Sequence, residues 1–198
     1  MRKRLYGWII HPSFMKTHTS KTGRLALFTV LLALCLAIQL TPRPPNVEFT
    51  SFFSFVVGFV FGVIQGVFFG CVVMFANGFL SPYGIAGFIM PFQIVGMAAA
   101  GFLGGVYRKM MPQESDSARF CAEISVFGAL IALVYDIITN LGVGFQFFLS
   151  GMDLTLAMIT AIAYGALFSV IHILSNTAVF TVLTPPLMKI LDVMTGGE

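Results

Sequence analysis

The chain has 198 residues, 58% of them hydrophobic and only 10% charged, with a formal net charge of +3. A soluble domain carries about 25% charged residues, so this composition excludes an ordinary water-soluble domain and reads as an integral membrane protein. The three cysteines, Cys35, Cys71 and Cys121, stand alone among apolar neighbours with no metal-ligand spacing, so they read as small hydrophobes.

Residues 1–24 are basic, with Arg2, Lys3, Arg4, Lys16, Lys21 and Arg24, and Pro12 disfavours one long helix there. Such a segment could meet nucleic acid, but membrane topology explains it more simply, and no nucleic-acid partner is expected. The first crossing is residues 25–40. Leu34 is too large to precede a lipoprotein cleavage cysteine at Cys35, so the run is expected to be a retained helix. The prolines of Thr41-Pro42-Arg43-Pro44-Pro45 end it. The excess of positive charge before the first crossing puts the N-terminus in the cytoplasm and Arg43 outside.

Between Glu48 and Arg108 there is no charged residue. Arg43 outside and Arg108 and Lys109 inside require an odd number of crossings. About sixty residues at 1.5 Å each suit three crossings better than one. They are expected near 49–63, 66–80 and 86–107, the first two short. Gln65-Gly66 would make the inner turn, and Asn77-Gly78 through Pro82-Tyr83-Gly84 the outer loop.

Residues 108–119 form a hydrophilic inner loop. A fifth crossing follows over 120–141, then an outer loop over 142–153. The sixth crossing ends at Thr184-Pro185-Pro186, and Lys189 returns to the cytoplasm. Counted from Thr155, that last run is about thirty residues, more than the ~20 a crossing needs. Either it tilts, or it begins near Gly165 with 154–164 at the interface. The expected fold class is an all-α integral membrane protein of six transmembrane helices, both termini cytoplasmic, with helices 2 and 3 short. Ten of the eleven basic residues then face the cytoplasm. The expected divisions are a basic segment 1–24, a membrane domain 25–190 and a short cytoplasmic tail 191–198.

Gly58, Gly62, Gly66 and Gly70 stand four apart, and Gly96, Ala100, Gly101, Gly104 and Gly105 continue the pattern in the next helix. Small residues at this spacing let helix backbones approach closely. Ala33 and Ala37 make a similar pair in the first helix, suited either to internal packing or to a second subunit.

The polar side chains collect toward the outer side. Asn46 and Glu48 follow the first helix, Asn77 ends the third and Gln93 lies in the fourth. Asp136 and Asn140 sit one turn apart in the fifth. Gln146 belongs to the last outer loop. Ser169, His172 and Asn176 share one face of the sixth. A lone amide or histidine in a membrane helix is often interhelical glue, but a membrane carboxylate such as Asp136 needs pairing, protonation or water. Convergence from separate helices favours a binding pocket, with Tyr83, Phe52, Phe53, Phe145, Phe147 and Phe148 able to stack on a planar ligand. No HExxH, GxSxG or P-loop motif occurs, so neither a catalytic residue nor ATP hydrolysis by this chain alone is expected. No metal or cofactor is expected either.

Over residues 25–190 the chain resembles the substrate-binding (S) component of an energy-coupling-factor (ECF) vitamin transporter. The resemblance rests on the six-helix plan, Ala33-xxx-Ala37, the PNVEFTSF entry to helix 2 and the glycine-rich turn between helices 2 and 3. Pro91 and Gln93 in helix 4 and the YDIITN and FSVIHILSN segments complete it. It implies an importer subunit in a prokaryotic cell membrane that binds a vitamin or related micronutrient at its outer end, under loops 1–2, 3–4 and 5–6. It also implies that Ala33 and Ala37 meet a transmembrane coupling subunit carrying two ATPases, and that the chain topples in the bilayer to release its cargo inside. Motifs specific to one vitamin are not evident, so the ligand stays open. Two other readings compete: a proton- or ion-coupled carrier, suggested by Asp136, and a membrane scaffold whose polar residues only hold helices together.

Overall fold

A computed structural model describes residues 9–10, 20–110 and 115–195. Arg2, Lys3, Arg4 and Lys16, on which the charge argument partly rests, lie outside the described residues, as does the side chain of Lys189. The described chain is helical, in the order α1 (Lys21–Gln39), α2 (Thr50–Phe61), α3 (Val63–Leu80), α4 (Met90–Met110, preceded by a 3-10 turn over Gly87–Ile89), α5 (Ser117–Leu149) and α6 (Leu154–Thr195). Two dipeptides, β1 (Ile9–Ile10) and β2 (Ser115–Asp116), pair antiparallel, with Ile9 opposite Asp116 and Ile10 opposite Ser115. Five helices, all but α2, are long and apolar enough to cross a membrane. The architecture is that of a multi-pass, all-helical membrane protein.

The other helices stand around α2. Its sequence, TSFFSFVVGFVF, is apolar on every side, the pattern of a helix with no outer face, and every residue of it except Val60 is buried. Twelve residues span about 18 Å, short of the ~30 Å hydrocarbon layer, so α2 is a central post and not a full-length crossing. Phe52 and Phe55 meet the Phe180 ring of α6 edge-on at 5.2 and 5.5 Å. Phe55 also reaches Phe127 of α5 and Tyr107 of α4. Such pairs add about 0.5–1.5 kcal/mol each beyond their buried area.

The glycine row brings backbones into contact. A Cβ on Gly58 would strike the Gly101 carbonyl of α4, one on Gly66 the backbone of Gly58, and one on Gly104 the Phe55 carbonyl. The α2–α3 turn falls at Gly62, not at Gln65-Gly66 as the sequence suggested. Gly62 takes φ 108°, a left-handed conformation in which a side chain is strained, while Gly66 serves close packing and Gln65 is an exposed residue of α3. Arg108 then donates to the Val60 carbonyl at 2.7 Å, satisfying the end of α2.

Two more boundaries differ from expectation. The fifth helix does not stop at 141; α5 runs through GVGFQFFL to Leu149, with Gly142 packed on Phe92 and Gly144 on Met158. The connection to α6 therefore contracts to residues 150–153, where Gly151 takes φ 98° and the Asp153 carboxylate caps the Leu156 amide at 3.1 Å. The sixth helix, α6, starts at Leu154 and is one continuous helix. It does not end at Pro185-Pro186, which lie inside it. Membrane helices tolerate proline where a neighbour packs alongside, and here the Ser125 hydroxyl of α5 lies 2.7 Å from that of Thr181.

The buried face of α1 is Leu31, Cys35 and Gln39, spaced by four. Ala33 and Ala37 lie on its exposed side.

Candidate functional site

Residues 40–49 connect α1 to α2 as a loop rich in proline, which has no amide hydrogen to offer, so side chains hold it together. Arg43 donates through Nε to the Val47 carbonyl at 2.7 Å and through Nη1 to the carbonyls of Gln39 and Thr41. Tyr83, from the α3–α4 loop, donates its hydroxyl to the Arg43 carbonyl, and the Arg43 amide donates back to it at 2.9 Å. On the other side, Asn46 adopts φ 59°, which asparagine tolerates better than most residues. Its Nδ2 donates to the Phe168 carbonyl of α6 at 3.0 Å, and Ser175 returns a bond to the Asn46 carbonyl at 3.0 Å. The loop is thus fastened to two neighbours.

Beneath it lies a cavity of about 530 Å³, within the size range of small-molecule sites. Its walls include Gln39, Glu48, Asn77, Gln93, Tyr135 and His172. Two hydrogen-bonded groups flank it. In the first, Gln39 of α1 donates to Asn77 of α3 at 3.2 Å and accepts from Thr50 of α2 at 2.8 Å. In the second, His172 of α6 stands between two carboxylates: Nδ1 is 2.8 Å from Asp136 Oδ1 and Nε2 is 3.3 Å from Glu48 Oε1. Only the doubly protonated ring donates to both. Asn176 donates to the same Glu48 oxygen at 3.2 Å, and the Ser51 amide to the other at 3.0 Å. Tyr135 closes over the imidazole edge-on at 5.4 Å. Burial pushes the Glu48 carboxyl up. The hydrogen bonds from His172 and Ser51, with the imidazole's charge, outweigh that and hold it at about 2.

Of the residues singled out from sequence, Asn46, Glu48, Asn77, Tyr83, Gln93 and His172 line the cavity. Asp136 and Asn176 are buried one hydrogen bond behind the wall, holding His172 and Glu48. Asn140 is turned away, packed where a Cβ on Gly165 of α6 would be, and Gln146 is exposed near the end of α5. The expected aromatic rim is mostly elsewhere. Phe52 and Phe53 are buried in the core, Phe145 stacks on Phe92 at 6.4 Å, and Phe148 is exposed, leaving Tyr83. The inner face of α2 takes the first two, and the longer α5 carries the others up its own side.

Sequence reasoning missed Gln39, Arg43 and Tyr135 as wall residues. Gln39 had a signal, since it and Thr29 are the only polar side chains between residues 25 and 40. Tyr135 directly precedes Asp136. Arg43 was read only as a topology marker. Among the buried side-chain oxygens and nitrogens of the described residues, Ser54 Oγ, Gln93 Oε1, Asp136 Oδ2 and Asn176 Oδ1 have no hydrogen-bond partner.

Comparison with known proteins finds no matching family model, no matching curated protein and no matching solved structure.

Proposed function

We propose that this chain is the membrane-embedded substrate-binding subunit of an ECF-type ABC importer in a prokaryotic cell membrane. It captures a vitamin or related micronutrient at its outer face and has no catalysis of its own. On this reading all six helices are inserted with both termini cytoplasmic, and α2 is the short buried one. The cavity under residues 40–49 is the capture site. The observation that carries the reading is a cavity walled by polar side chains from separate helices inside an otherwise apolar molecule. Ala33 and Ala37, exposed on the lightly packed α1, are the surface offered to a transmembrane coupling subunit that brings two ATPases. Purification without added ligand, followed by mass spectrometry of the bound molecule and of co-purifying proteins, tests it. A bound micronutrient together with an ATPase-bearing module is the expected result. An empty chain that also associates with no such module overturns the reading.

One observation favours a second reading, a proton-coupled carrier: the buried sequence Glu48, His172, Asp136 links the cavity wall to the interior of the bundle through hydrogen-bonded titratable groups. That carrier would lose uptake to an uncoupler while needing no ATPase. Uptake that requires an ATPase removes it.

A further inference from the structure

We infer that the molecule received in this cavity carries no net charge and presents a carbonyl oxygen, as an amide, lactam or imide does, to the carboxamides of Asn77 and Gln93. The inference rests on the reading of the cavity as a small-molecule site and names the chemical class that site takes.

The first support is the charge balance of the wall. Arg43, Glu48 and His172 are its charged side chains, and Asp136 stands one bond behind them. With the imidazole doubly protonated, two positive charges stand against two negative ones. Each of the four is engaged within the protein. His172 has a carboxylate at either nitrogen, and Glu48 is held by His172, Asn176 and the Ser51 amide. Arg43 gives Nε and Nη1 to the carbonyls of Val47, Gln39 and Thr41. An ion that left water for this wall would give up its hydration and find no unpaired charge of opposite sign. An uncharged molecule carries no such penalty.

The second support is where the wall leaves polar hydrogens open. Gln39 Nε2 donates to Asn77 Oδ1, and Asn77 Nδ2 in turn meets only the Met74 thioether at 3.6 Å, a weak acceptor. The relay that begins at Thr50 therefore ends on an N–H donor with no oxygen to receive it. In Gln93 the enclosed atom is the oxygen, so the nitrogen, which has no acceptor among the described residues, is the polar atom this side chain has for the cavity it lines. Asn77 lies near the end of α3 and Gln93 in the first turn of α4. The two helix ends are close, because the Met90 sulfur fills the place that a Cβ on Gly78 would take.

These two observations together separate the ligand classes. A carbonyl oxygen has two lone pairs and can accept from both carboxamides. An ammonium has none to offer. A carboxylate could accept, but it brings a charge that the balanced wall does not answer. Ile85, Met97 and Phe168 supply apolar contact for the rest of the molecule.

The test uses the full chain in detergent and three probes of one shape: benzamide, uncharged, with benzoate, an anion at pH 7, and benzamidine, a cation at pH 7. Titration by calorimetry and thermal unfolding midpoints are read for each. Benzamide should raise the midpoint and bind roughly tenfold more tightly than either ion, and Asn77→Leu and Gln93→Leu should each weaken it by a similar factor. Asn77→Asp keeps the acceptor for Gln39 and replaces the open donor by an unpaired negative charge, so it should turn the preference from benzamide to benzamidine. Either ion binding the wild type as tightly as benzamide, no probe binding at all, or benzamide affinity unchanged in both leucine variants overturns the inference. The wild-type comparison decides the charge class even where a variant fails to fold. No ATPase partner enters this assay. Selective binding of benzamide by a chain that never associates with ATPases would sink the transport reading and leave the ligand class standing. A co-purifying micronutrient that is an ion at pH 7, found together with an ATPase-bearing module, would do the reverse.

Discussion

His172 Nδ1 lies 2.8 Å from Asp136 Oδ1, and this contact joins the midpoints of the two longest helices, α5 and α6. His172 is eighteen residues into α6, about 27 Å along its axis from Leu154. Both side chains are shielded from bulk water, at 3% and 9% exposed. The pair persists because the other ring nitrogen meets Glu48, which the Ser51 amide and Asn176 hold in turn. The cavity wall is therefore fixed from behind by the helices that form the rest of the bundle.

Removing the central member exposes that dependence. His172→Ala leaves two buried carboxylates facing each other with no donor between them, and breaking a buried ion pair by deleting one partner costs about 3–5 kcal/mol. The expected outcome is a large drop in the thermal unfolding midpoint in detergent. Adding Asp136→Leu to His172→Leu should recover part of the loss, because the double substitution leaves one carboxylate fewer unpaired. A His172→Ala midpoint within a degree of wild type would show that the row of bonds stabilises nothing.

Glu48 gives a pH dependence with a definite sign. Its folded carboxyl sits at about 2, below its ordinary 4.5. A depressed folded value means the carboxylate stabilises the folded state fully above pH 4.5, and the contribution disappears as pH falls from there through about 2. Unfolding midpoints measured across that acidic window should fall steeply in the wild type and less steeply in Glu48→Gln. Parallel curves for the two proteins would contradict the assignment.

The latch between loops predicts a change in motion without a change in fold. Tyr83→Phe deletes the hydroxyl that bridges the Arg43 carbonyl and amide, a net loss of about 1 kcal/mol at an exposed side chain. Backbone amides of residues 41–48 should exchange with deuterium faster, while the unfolding midpoint moves little. Unchanged exchange there would mean that the bonds of Asn46 and Glu48 to α6 suffice to hold the loop to the bundle.

How much of this could be read from the chain itself depends on what each residue's signal was. The absence of charge between Glu48 and Arg108, with turn residues at Asn77 to Gly84, was enough to divide that stretch into three helices. Hydrophobicity could not tell that α2 is enclosed by protein where α3 meets lipid, because Phe and Val suit both surroundings. Gly62 and Gly66 look alike in sequence. Which one turns the chain and which one packs is decided by the tertiary contacts with Gly58 and Gly101. Polar residues of the site were legible one by one as exceptions in an apolar run. The direction of Asn140, which packs on Gly165, was not, since a shared helix face with Asp136 spans two neighbours. Pro185 and Pro186 misled for the opposite reason, because a rule learned from water-exposed helices weakens when a second helix lies alongside.

The glycine contacts allow the sharpest test of the packing itself. A Cβ at Gly58 would run into the Gly101 carbonyl and come within 2.9 Å of the Gly105 amide, all rigid backbone, so α2 and α4 would have to separate. Overpacking of this kind costs about 1–3 kcal/mol, and here the helix displaced is the central one. Gly84 is the control. It takes φ 102° in the α3–α4 loop with nothing within 4 Å of a Cβ, so Gly84→Ala adds backbone strain of about 1 kcal/mol and no clash. Gly58→Ala should therefore lower the unfolding midpoint clearly more than Gly84→Ala. It should also disturb the cavity, since α2 carries Thr50 and Ser51 to Gln39 and Glu48. Equal effects of the two substitutions would mean that α2 and α4 do not approach as closely as their glycines permit.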